Sequence, residues 1–104
     1  MEEFDKLIGG ATPTLVDFHA TWRGPCKMQG PILEQVKARV GDGANIIKID
    51  VDANPVVSQQ YRIQSVPTLI IFREGVPIWR GAGVHQADDL ERLLRDSIVA
   101  KSDE

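Results

Sequence analysis

The chain has 104 residues, 42% hydrophobic and 26% charged, which is the make-up of an ordinary globular protein with one core. Its net charge is −3 and its acidic residues are spread along the chain, so no basic patch is available for nucleic acid, and no apolar run approaches membrane-spanning length. Cys26 is the only cysteine, which excludes an internal disulfide. His19 and His85 have no partners at zinc-ligand spacing, so no metal is expected.

The start, Met1-Glu2-Glu3-Phe4-Asp5, lacks the basic region of a signal peptide, and a cytoplasmic protein, or a mature form whose signal has been removed, is expected. Phe4, Leu7 and Ile8 have helical spacing and stop at Gly9-Gly10. Thr14 to Phe18 is a short apolar run with the content of a buried strand. Beyond Gly24-Pro25, residues Met28, Ile32, Leu33, Val36 and Val40 share one helical face. Pro31 is expected to kink this helix, and Gly41-Asp42-Gly43 to end it. Met28 is assigned to packing, as are Phe4, Phe18, Tyr61, Phe72 and Trp79.

Ile46 to Val51 reads as a second strand, with Lys48 and Asp50 on one face and Ile47, Ile49 and Val51 on the other. Asn54-Pro55 reads as an N-cap and first helical residue of a short helix through Tyr61. Thr68 to Phe72 is the most apolar strand and belongs at the centre. Glu74-Gly75 marks a hairpin into Val76 to Arg80, where Pro77 predicts an edge. Leu90, Leu93, Leu94 and Ile98 line a last helix, and Lys101 to Glu104 are expected to fray. The order predicts an α/β domain over residues 1–104. Strands joined through helices should run parallel, with an antiparallel closing hairpin and helices on both faces.

The stretch Trp22-Arg23-Gly24-Pro25-Cys26 has the outline of a C-x-x-C redox motif whose first cysteine is replaced by Arg23. Val16-Asp17-Phe18, Ala20, Trp22, Gly24-Pro25-Cys26-Lys27-Met28, Pro31, Val66-Pro67-Thr68 and Gly83 together resemble the thioredoxin family over nearly the whole chain. The family usually begins with a strand before the first helix. This chain starts almost at the helix, so four strands are expected instead of five.

The resemblance implies protein-disulfide reduction without a cofactor, on protein substrates carrying disulfides and with a thioredoxin reductase as partner. Arg23 occupies the position of the attacking cysteine and Cys26 that of the resolving one. Asp17 is the implied proton acceptor, with Lys48 tempering its charge. Trp22, Gly24, Pro25, Val66, Pro67 and Gly83 are the implied rim of a substrate groove, with a cis Val66-Pro67 bond. A guanidinium stays protonated and is no nucleophile, so the chain as written is expected to be redox-inactive or strongly impaired. The other class of function open to it is a redox-dead binding module that holds partners through the Trp22/Pro67 groove. An open strand edge at Ile46–Val51 also invites weak pairing with a second copy.

Overall fold

The computed structural model describes residues 2–22 and 24–102, with the side chains of residues 3–22 and 24–97. Arg23 lies outside the described residues. The order is α1 (Glu2–Ile8), β1 (Thr14–His19), α2 (Gly24–Val40), a 3-10 turn (Gly41–Gly43), β2 (Asn45–Asp50), α3 (Pro55–Gln60), β3 (Thr68–Arg73), β4 (Val76–Ala82) and α4 (Ala87–Ser102). The four strands form one sheet in the order β2-β1-β3-β4. Among the described residues the expected strand number, the central position of β3 and the edge position of β4 all hold.

The strand directions differ in part from expectation. β1 and β2 are parallel, but β3 runs antiparallel to β1 although a helix connects it to β2. The register gives the reason. His19 pairs with Asp50, the last residue of β2, and Phe18 pairs with Thr68, the first residue of β3. The connection through α3 therefore starts and finishes at the same end of the sheet. Six residues of helix turn the chain round there and do not carry it back along the strands.

Strand alternation divides the core. Leu15, Leu69 and Ile71 face α2 and α4, where Leu33, Val36, Leu90 and Leu94 cover them. Val16, Phe18, Ile70 and Phe72 face α1 and α3, against Phe4, Ile8 and Val57. Ile47, Ile49 and Val51 join the second cluster, as their spacing predicts. Phe4, Phe18, Tyr61 and Phe72 form a tilted and edge-to-face aromatic group with centroids 5.2–6.3 Å apart.

Three local expectations need correction. Met28 is 61% exposed, because the buried face of α2 is Cys26, Gln29, Leu33 and Val36, with spacings of three and four residues. Asn54 holds the N-cap position of α3, but its side chain donates backwards to the Asp50 carbonyl and does not cap the helix. Lys101 and Ser102 continue α4, whereas Asp103 and Glu104 lie outside the described residues. α2 runs unbroken through Pro31.

Candidate functional site

The C-terminal end of β1, the start of β3 and the end of β4 meet at one end of the sheet, since Phe18 pairs with Thr68 and Thr68 with Ala82. The segments that leave there hold nearly all the residues singled out from the sequence. Trp22 lies on the turn leaving β1, and Gly24, Pro25 and Cys26 form the first turn of α2. Val66 and Pro67 precede β3, and their peptide bond is cis. Gly83 follows β4 with φ of +86°, a conformation that favours glycine, and its N–H donates to the Pro67 carbonyl at 2.8 Å.

Cys26 is 8% exposed, and its sulfur accepts a hydrogen bond from the Ala20 N–H at 3.4 Å. The contact draws the thiol back towards the end of β1. Trp22 is 63% exposed, and its indole N–H donates to Asp52 Oδ2 at 3.0 Å. Asp52 sits in a turn held by Asp50, whose Oδ1 accepts from the Asp52 N–H at 2.8 Å. The ring is thus anchored at its polar edge while most of its surface faces solvent.

Asp17 lies on β1 on the α2 side of the sheet and is 1% exposed. Its Oδ1 has no hydrogen-bond partner among the described residues. Burial pushes its carboxyl up to about 6 from an ordinary 3.8, while the charges of His19 and Lys48 pull the other way. Lys48 is directly opposite Asp17 in the β1–β2 register. Its Nζ lies across α2 at Gly30, 3.2 Å from where a side-chain carbon on that glycine would sit. Gly30 therefore leaves room for the ammonium beside the carboxylate strand. A carboxyl with a near-neutral pKa on the strand beneath a thiol-bearing helix can accept and return a proton at neutral pH.

Two residues at this end were not singled out as functional from the sequence, Gln29 and Asp52, and His85 was weighed only as a metal ligand. Gln29 is fully buried and bonds to His85. Its signal in the sequence is a polar residue at a core position, three residues after Cys26 on the same helical face. Asp52 carries no comparable signal, since an acidic residue in a turn is ordinary.

The thioredoxin family model matches residues 1–96. A thioredoxin-like protein of Synechocystis is 47% identical over 91 residues, covering 88% of this chain and 87% of that protein. A thioredoxin of Mycolicibacterium smegmatis is 44% identical over 94 residues, covering 88% and 84%. Among solved structures, a mutant thioredoxin from Halobacterium salinarum superposes with a TM-score of 0.85 at 34% identity, covering 94% of this chain and 85% of the other.

Proposed function

The chain belongs to the thioredoxin family of disulfide reductases, and from that premise we propose that its site is a thiol–disulfide exchange site lacking the attacking sulfur. Arg23 stands where the attacking cysteine would be, and Cys26 is the resolving thiol. The observation that carries this is the buried Cys26 held beside Ala20, with the near-neutral carboxyl of Asp17 on the neighbouring strand. That arrangement suits a resolving thiol, and it leaves no exposed thiol to begin the reaction.

With a cysteine at position 23 the steps would run as follows. Its thiolate attacks one sulfur of a substrate disulfide, forming a mixed disulfide and expelling the other substrate sulfur as a thiolate, which takes a proton. Asp17 accepts the proton of Cys26. The Cys26 thiolate attacks the position-23 sulfur, closing an internal disulfide and releasing the second substrate thiolate. The substrate is reduced by two electrons and the protein is oxidised by two. A reductase of the thioredoxin or glutathione systems would return the dithiol. Trp22, Gly24, Pro25, Val66, Pro67 and Gly83 would line the groove for the substrate chain, and Lys48 would hold the Asp17 charge in check.

The expected outcome is that the protein as written does not catalyse reduction of insulin disulfides, and that Arg23→Cys gives turnover. Cys26 should react slowly with a thiol reagent in the native state and fast in denaturant. A folded Arg23→Cys protein with no turnover would reject the exchange site and favour the second reading, a groove that binds partners without redox chemistry. The exposed, anchored indole of Trp22 favours that second reading. Weak self-association through the free edge of β2 belongs to the same proposal, and sedimentation at high concentration tests it.

A further inference from the structure

Gln29 is wholly buried on the face of α2 that also carries Cys26. A buried carboxamide is costly unless its donors and acceptor are met. Here both ends meet one residue 56 positions away. Nε2 donates to the His85 carbonyl at 2.9 Å, and Oε1 accepts from the His85 N–H at 2.9 Å. One hydrogen bond leaves the partners free to swivel, whereas this reciprocal pair fixes both distance and direction, as a strand pairing does.

The linkage continues beyond His85. Its Nδ1 is 2.9 Å from the Gly83 carbonyl, and its ring meets Trp79 edge to face with centroids 5.2 Å apart. Gly81 beneath them has no room for a side chain, because a Cβ there would lie 2.6 Å from the Trp79 ring and 2.8 Å from the His85 ring. Gly83 in turn donates to the Pro67 carbonyl. One wall of the groove starts on α2. The other is the Val66-Pro67 and Gly83 pair, and Gln29 ties the second wall to the first.

On the basis of the exchange site proposed above, we propose that Gln29 is a positioning residue for the substrate groove. It sets the separation between the first turn of α2 and the segment 83–85. It therefore governs affinity for an extended disulfide-bearing protein segment without touching the sulfur chemistry.

The test uses Gln29→Leu and Gln29→Glu in the Arg23→Cys protein, with insulin disulfides as substrate. Gln29→Leu should raise KM about tenfold and leave kcat within about twofold, the size expected for a lost pair of neutral hydrogen bonds. Gln29→Glu adds a readout that a packing role would not move. As a carboxylate it can accept from the His85 N–H but repels the His85 carbonyl. As a carboxylic acid it can again donate to that carbonyl. Its KM, relative to the Arg23→Cys parent at each pH, should fall towards one at acid pH and rise on the alkaline side.

A pH-independent ratio, or a loss of kcat that tracks the loss of folded protein, overturns the proposal. If the Arg23→Cys parent has no turnover, the exchange site fails, and Gln29 is judged in the original chain by amide exchange. Gly83 is the informative amide, since it bonds to Pro67 and not to Gln29. Its exchange should speed up about tenfold in Gln29→Leu, while Leu69 to Phe72 stay unchanged. No change at Gly83, or the same change at every amide, counts against the proposal.

Discussion

The two faces of the sheet bury their polar groups in different ways. Towards α1 and α3 the buried polar side chains among the described residues are Thr14, Ser58 and Thr68. Each hydroxyl donates to a carbonyl no more than seven residues away, on Leu7, Asn54 and Ser65 respectively. Towards α2 and α4 they are Asp17 and Gln29. One has a buried oxygen with no partner among the described residues, and the other is satisfied only across the fold. A hydroxyl closed on its own neighbourhood asks nothing of the rest of the molecule, so the first face can be all packing. The second face has polar groups whose needs are met at a distance or not at all, and the proposed chemistry lies there.

The largest effect should come from emptying the packed face. Phe72 is fully buried within the aromatic group, and Phe72→Ala should cost about 3–5 kcal/mol of stability in denaturant unfolding. In the Arg23→Cys background the protein that remains folded should keep its kcat, and a loss of kcat would erase the distinction between the faces. Next comes Asp17→Asn. The folded carboxyl titrates at about 6, above its ordinary 3.8, so the fold prefers the protonated form. The stability this gives is complete below pH 3.8 and is lost as pH rises through 6. Removing the charge should therefore add about 3 kcal/mol at pH 8 and almost nothing at pH 3.5, as read by urea unfolding at the two pH values. A pH-independent gain would mean that Asp17 is not buried as a charge. The smallest effect is Thr68→Val, which removes one hydroxyl bond of 2.7 Å and should cost about 1 kcal/mol at every pH.

Much of this contrast was legible in the sequence. The alternation Leu15-Val16-Asp17-Phe18 already places one carboxylate in an apolar strand, and the helical stripes on either side imply two covered faces. Trp22, Val66, Pro67 and Gly83 come together because each flanks a strand end, and strand ends are where pattern is most readable. Strand direction was less legible, because a helix between strands usually signals a parallel return, and only the register shows that this connection turns back at once. Met28 has the right spacing for the core but falls just outside the buried arc, while Gln29 falls inside it. Periodicity locates a face to within about one residue, and on α2 that residue decides the outcome. The bond between Gln29 and His85 depends on contact across 56 positions, which no local pattern encodes.

The packing of Trp79 has a spectroscopic consequence. The chain has two tryptophans, and they sit in unlike surroundings: Trp22 is 63% exposed beside the Cys26 turn, and Trp79 is half-buried under the His85 ring. Trp22 should emit to the red and be open to a soluble quencher, and Trp79 should emit to the blue and be shielded. Removing either ring leaves a single-colour probe, so occupation of the groove and opening of the 83–85 segment can be followed separately in the same protein without an added label.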